Sequence, residues 1–461
     1  MTLEALIPRI VARPDGFVLD GGPDSWTFLG AGSRRTLVAS GRTVTHEAEG
    51  RTWTRTEDPL EAMRAVHAAW RMEASPRSIP FLGGAVGMLS YDLGRLLERM
   101  PAIARDDLRL PDLRMAWYDV VFAFRDGQGW VASSGLPFPP DARAAVAQQR
   151  LEEALAWADA PAPAVAPFRA VGPWRSTFTR AEYLAAIATI QAHIAAGDLY
   201  QANLSQRFEV PVAGDAADLY LRLRAANPAP FGAFLRYPDA TLVSVSPERF
   251  LELRDGRVET RPIKGTRPRG RTPDADAALA DELTASPKDR AEHLMIVDLE
   301  RNDLGRVCRT GSVRVPERFR LEPHPTVWHL VSTVEGELRE GLDAVDLIRA
   351  TFPGGSITGA PKLRAMEILE GIEPTRRGPY TGSIGYWGLD GHLDLSIVIR
   401  TAIVQGDRAT VQVGGGIVAD SDGDAEYQET LDKAAALVRA IDPMGAPLGR
   451  DPRSEAPCTS S

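Results

Sequence analysis

Residues 179–208, TRAEYLAAIATIQAHIAAGDLYQANLSQRF, change their hydrophobic period partway along. Leu184, Ile187, Ile190 and Ile194 recur at helical spacing, and Thr179 with Glu182 makes the capping pattern of a helix start. Gly197-Asp198 ends that helix. From 200 to 208 the period becomes two: Ala202, Leu204 and Phe208 fall on one face, Gln201, Asn203, Ser205 and Arg207 on the other. That is the pattern of a half-buried strand with one polar face. Asp126-Gly127, Asp255-Gly256 and Asp390-Gly391 each join two alternating segments as a hairpin. Hairpins at this frequency predict an α+β fold, with antiparallel sheets flanked by helices rather than a doubly wound parallel sheet.

The chain has 461 residues, 44% of them hydrophobic and 25% charged, which is enough for a large core. A net charge of −9 argues against a nucleic-acid surface, so an anionic ligand would need locally placed cations or metal. Cys308 and Cys458 form no disulfide or metal pattern, the start MTLEALIPRIVARPDG lacks the apolar core of a signal peptide, and no apolar run is long enough to span a membrane. A cytoplasmic protein is expected. Residues 158–173, rich in Ala and Pro, read as a linker between an N-terminal portion (1–157) and a C-terminal portion (174–442), and residues 443–461 read as a disordered tail.

Several stretches carry chemistry. Lys264, in RPIKGTRPRG (261–270), reads as an amine at the end of a strand turning into a loop, with nothing acidic beside it in sequence. FPGGSITGAPKLRAMEIL (352–369) is a glycine-rich loop entering a helix, with Pro361 suited to the first turn. Ala360-Pro361 stands where a nucleotide phosphate loop needs Lys-Ser/Thr, so the loop suits another anion or is capped for packing. Asp289 with Glu292, and Glu426 with Glu429, each place two carboxylates on one helix face. Such faces are either solvated surfaces or, where two meet, an oxygen-ligand set for Mg²⁺. Gly414, Gly415 and Gly416 mark a tight corner or a close backbone approach. His329 lies in an apolar run, the place of a core histidine or a catalyst.

Taken in order, GDLYQANLSQRF (197–208), SPERF (246–250), RPIKGTRPRG (261–270), KDRAEHLMIVDLERNDLGRV (288–307), HLVSTV (329–334), the 352–369 loop, YTGSIGY (380–386), IVIRTA (397–402) and GGGIVADS (414–421) resemble the chorismate-utilising enzymes. PFLGGAVGMLSYDL (80–93) resembles their N-terminal part. The resemblance implies a large two-lobed sandwich of antiparallel sheets flanked by helices, in which the N-terminal portion packs onto the C-terminal one. It implies that Glu292 and Glu429 hold Mg²⁺, that Asp289 and Glu426 belong to the same acidic cluster, and that the metal binds the ring carboxylate of chorismate. Tyr380, Arg400 and the backbone of Gly414, Gly415 and Gly416 would grip the enolpyruvyl carboxylate, with Gly265 and Thr266 lining the ring site and Ser356 touching the substrate from its loop. Glu248 would be the general acid and His329 would orient the ring carboxylate.

Two positions separate the branches of that family. Gln201 stands where isochorismate-type members carry a water-activating lysine, which disfavours hydroxyl transfer. Lys264 stands where anthranilate synthases carry alanine, and resembles the branch that aminates chorismate at C4 to 4-amino-4-deoxychorismate, the precursor of p-aminobenzoate and folate. The resemblance implies a covalent Lys264 intermediate, its amine kept partly neutral by burial and by Arg267. The alternatives are an anthranilate synthase or a non-catalytic chorismate-binding subunit. No cysteine sits in a nucleophile elbow, so ammonia is expected from a separate glutamine amidotransferase subunit. Phe231-Gly232, in NPAPFGAF (227–234), departs from the Pro-Tyr-Met of the anthranilate synthases' feedback site, which puts tryptophan control in doubt.

Overall fold

Thr179 and Glu182 cap each other at the start of a helix spanning Arg180–Ala195, and the chain then enters the strand Gln201–Ala213. The period change in the sequence is therefore a change of element. The structure is a computed structural model that describes all residues except 23, 73–77, 325–326, 446–447 and 449–461, so most of the expected tail, with Cys458, lies outside the described residues.

Two antiparallel sheets of 12 strands each carry the fold among the described residues. In the first, Gln201–Ala213 pairs with Arg408–Ile417, and the sheet continues through Thr401–Gln405, Thr241–Ser246 and Phe231–Arg236 to Phe17–Asp20. In the second, Ile263–Pro268 pairs with Val327–Glu337, and the sheet continues through Arg257–Arg261, Arg249–Arg254, Leu393–Ile397 and Ser383–Gly388 to Gly84–Leu89. Both sheets mix strands from either side of residues 158–173, and Arg169–Ala170 within that segment pairs with Val212–Ala213. The Asp-Gly turns at 126–127, 255–256 and 390–391 all close hairpins as read.

The sheets pack face to face over an apolar layer in which Phe81 is fully buried, its ring 5.6 Å from Phe28 and 4.5 Å from Tyr386. Helices cover the outer faces. Ile187 and Ile190 of Arg180–Ala195 pack with Ala365 and Leu369 of Lys362–Ile372 on the first sheet, and Val297 and Leu304 of Pro287–Gly305 pack on the second.

The expected polar face of the strand Gln201–Ala213 is not solvated, because helix and sheet close over it. Gln201, Ser205 and Arg207 are each 1% exposed and Asn203 9%. Partners compensate most of that burial. Ser205 donates from both N (2.9 Å) and Oγ (2.8 Å) to Glu373, whose other oxygen accepts from Arg377 Nε at 2.8 Å. Arg377 also donates to the carbonyls of Ile357 (3.0 Å) and Asn203 (2.6 Å), tying the glycine-rich loop to the strand. Arg377→Met leaves Glu373 as a buried, uncompensated carboxylate, and denaturant unfolding is expected to read a loss of about 3–5 kcal/mol.

Candidate active site

Lys264 is not at the end of a strand. It lies within Ile263–Pro268, whose pairing with Val327–Glu337 shifts register between Ile263 and Thr266. That shift is a β-bulge, and Gly265 within it has φ +92°, which favours glycine. The bulge re-aims Lys264 across the gap between the sheets. Its Nζ lies 3.1 Å from Glu292 Oε2, so the amine that has no acid beside it in sequence has one in space. The Arg267 guanidinium is paired with Glu282 at 2.7 Å and Asp289 at 3.0 Å.

Glu248 is 6% exposed, and burial pushes its carboxyl up to about 7. Ser356 Oγ donates to it at 2.6 Å, and the charges of Lys264 and Arg400 bear on it, all favouring the carboxylate but outweighed by desolvation. Arg400 has φ 49° and is half-buried, and no carboxylate is ion-paired with it among the described residues. Burial holds its guanidinium below the usual range although Glu248 opposes this. His329 is 2% exposed, and burial, then Arg400 and His324, lower it to about 3, so the ring is neutral. Its Nδ1 lies 2.9 Å from Thr266 Oγ1, and its buried Nε2 has no partner among the described residues.

The three glycines lie inside the strand Arg408–Ile417, opposite Leu204, Ser205 and Asn203, so they mark a close approach rather than a corner. A Cβ on Gly416 would stand 2.6 Å from Gln201 Nε2 and 2.7 Å from Lys264 Nζ. Lysine and glutamine side chains thus lie directly over this backbone, which any other residue would block. A Cβ on Gly415 would stand 3.2 Å from Glu426 Oε2. Tyr380, 5% exposed, is hydrogen-bonded to Asn203, the neighbour of Gly416 across the pair. Both polar atoms of the Gln201 amide are buried without a partner among the described residues, at the same point as the Lys264 amine.

Asp289 and Glu292 lie on the helix Pro287–Gly305, Glu426 and Glu429 on the helix Gly423–Ile441. Among the described residues no three of them converge as a ready-made metal group. Each is held by a neighbour: Asp289 by Arg267, Glu292 by Lys264, Glu426 by Ser421 at 2.7 Å, and Glu429 by Lys433 at 2.6 Å. The donor chemistry nonetheless fits a hard divalent cation. Carboxylates from two helices flank the Lys264 ammonium, whose charge reaches both Glu426 and Glu429, and burial, with Glu429 beside it, pushes Glu426 up.

Glu300 was not legible as a site residue from motif spacing. It falls on the apolar face Ile296, Val297, Glu300, Leu304 of its helix, and an acid on such a face was the signal available. Burial pushes it up to about 8, Thr260 donates to it, and Asp303 and Glu248 add to the shift. Phe231 and Gly232 line a cavity of about 320 Å³ with Asp20, Trp26, Arg249, Pro247 and Ile263; Glu248 and Lys264 are not among its lining residues.

Glu248 has a consequence for stability. Between its ordinary 4.5 and about 7 the folded chain holds a proton that the unfolded chain has released. Its contribution therefore falls as pH rises through that window and is level above it. Glu248→Gln removes the penalty, on the order of 3 kcal/mol. The Tm advantage of the variant is expected to be small at pH 3.5, where both states keep the proton, and to grow towards pH 8; a pH-independent difference would contradict the assignment.

Over residues 17–439 the sequence matches the family described as chorismate binding enzyme. Aminodeoxychorismate synthase component 1 of Klebsiella aerogenes is 47% identical over 391 residues, covering 84% of each chain. An anthranilate synthase component 1 of Haloarcula marismortui is 46% identical over 375 residues, covering 79% of this chain and 77% of the relative. The crystal structure of anthranilate synthase component I from Streptococcus pneumoniae superposes with a TM-score of 0.79 at 33% identity, covering 90% of this chain and 93% of the other. The family match spans Lys264, Glu248, Arg400 and the acidic residues of both helices, and the chain belongs to the chorismate binding enzyme family.

Proposed function

We propose that this protein aminates chorismate at C4 with ammonia, giving 4-amino-4-deoxychorismate and water. The observation that carries the reading is the Lys264 amine, aimed by the bulge over Gly416 with a carboxyl of about 7, Glu248, in the same site. The names of relatives such as that of Klebsiella aerogenes support it.

Arg400, without an ion-paired carboxylate among the described residues, and the backbone at Gly414, Gly415 and Gly416 receive the enolpyruvyl carboxylate; the Arg fork suits that group. Tyr380 closes the same side, and Gly265 and Thr266 line the ring. Neutral His329, its Nδ1 facing Thr266, turns Nε2 towards the ring carboxylate. Glu292 and Glu429, with Asp289 and Glu426 behind them, would hold Mg²⁺. When bound, that ion supplies a Lewis acid that fixes and polarises the ring carboxylate.

The Lys264 nitrogen, once its ammonium has given a proton up to solvent, forms a bond to C2 of the ring, the two ring double bonds shift, and the C4–O bond breaks. Glu248 gives its proton to the departing hydroxyl, which leaves as water, and Ser356 steadies the carboxylate that results. Ammonia then forms a bond to C4, the double bonds shift back, and the C2–N bond breaks to return the Lys264 amine. One difficult displacement becomes two easier ones. The buried Gln201 amide offers no basic atom for activating water, which favours ammonia as the nucleophile.

Ammonia comes from a separate glutamine amidotransferase subunit. Cys308 is 3% exposed and burial pushes its thiol up to about 11, so it is no glutaminase nucleophile. The product is the precursor of p-aminobenzoate and folate.

The test is product identification by mass spectrometry with chorismate, Mg²⁺ and ammonium. The aminated, non-aromatic product is expected, and fluorescent anthranilate in its place would assign the rival anthranilate synthase reaction. Glutamine alone should support no turnover. Lys264→Ala is expected to lose at least about 100-fold in kcat, and undiminished turnover would remove the covalent step.

A further inference from the structure

His293 follows Glu292 on the helix Pro287–Gly305 and is 0% exposed. Its Nδ1 lies 3.1 Å from the backbone carbonyl oxygen of Lys264. A carbonyl only accepts, so Nδ1 carries the hydrogen and the ring is held in one tautomer. The ring stands edge-on to Phe319, with centroids 5.3 Å apart at 79°, and its Nε2 has no partner among the described residues. The single polar contact of this buried imidazole is thus spent on the backbone of the proposed nucleophile.

The carbonyl that His293 meets lies in the bulge, where the ladder is irregular. Ile263 pairs with Val331 and Thr266 with His329, so Lys264 and Gly265 together stand opposite the single residue Leu330. A buried carbonyl left without a donor turns to find one, and here turning it would swing the Cα–Cβ bond of Lys264. Adjacent residues of one helix therefore hold both ends of the lysine: Glu292 the ammonium at 3.1 Å, His293 the carbonyl at 3.1 Å. We propose that His293 is a positioning residue for Lys264, its Nδ1–H locking the bulge so that the amine is delivered over Gly416. The inference rests on the reading of Lys264 as nucleophile.

The test uses the full chain with chorismate, Mg²⁺ and ammonium. His293→Leu removes the donor and is expected to lower kcat on the order of 100-fold, the cost of an ångström-scale misplacement, with KM for chorismate little changed. His293→Asn places an amide N–H where Nδ1–H stood and should recover most of the rate, whereas His293→Gln, which reaches the Nε2 position, should not. Full kcat in His293→Leu, or His293→Asn as impaired as His293→Leu, would overturn the proposal. Should His293→Leu fail to fold by circular dichroism, the Asn and Gln variants decide on the same terms. A second readout separates this from failure of the nucleophile reading: the rate at which acetic anhydride labels Lys264 in the substrate-free protein, read by peptide mass spectrometry. That rate should change several-fold in His293→Gln and return in His293→Asn; an unchanged rate overturns the positioning role, whatever Lys264→Ala does to turnover.

Discussion

A lysine side chain from one sheet lies on the bare backbone of the other, and the rest of the site is arranged around that approach. It is possible because Gly416 has no Cβ; one there would stand 2.7 Å from the Lys264 nitrogen. It needs the bulge at Lys264-Gly265, which turns the side chain out of the ladder. It also needs compensation, since an ammonium brought between two packed sheets must find a counter-charge. Glu292 supplies it directly, and Glu426 and Glu429 supply it through space. The same carboxylates form the donor set suited to a divalent cation, so cation and ammonium share one negative field.

Two buried acids stand near this field in different surroundings. Glu248 has Ser356, Lys264 and Arg400 pulling its carboxyl down against desolvation, and ends at about 7. Glu300 has the Thr260 hydroxyl and the more distant Lys362 on its side and the charges of Asp303 and Glu248 against it, and ends at about 8. Burial thus raises both carboxyls towards neutrality, and the charge of Glu248 raises Glu300 further. Environment, not residue type, sets the two values.

Element types were legible because they rest on local pattern: the helical spacing of Leu184 to Ile194 and the Asp-Gly hairpin turns are short-range signals. The polar face of Gln201–Ala213 was misread as solvated because alternation alone cannot tell water from a buried polar network; Glu373 and Arg377, which satisfy Ser205 and the Asn203 carbonyl, lie far along the chain. The site residues were legible through long ordered motifs, which carry composition and order but not who touches whom. Hence Lys264 read as a free amine at a strand end, and Arg267 as its neighbour in charge, when the three-dimensional partners are Glu292 for the one and Glu282 with Asp289 for the other. His293 and Glu300 sit on helix faces that look apolar, and only their burial distinguishes them.

The order of strands in the first sheet also bears on how the chain is made. Arg408–Ile417, the last strand in chain order among the described residues, lies between Gln201–Ala213 and Thr401–Gln405, while Phe17–Asp20 pairs with Phe231–Arg236. A nascent chain that has reached residue 400 thus displays most of one long edge of Gln201–Ala213 unpaired, as an open template for aggregation. Nearly all of the pairings that join the two ends of the molecule are long-range and must wait for loop closure. Residue 417 must therefore be made before the first sheet can close, and the approach of Lys264 to Gly416 waits for the same strand.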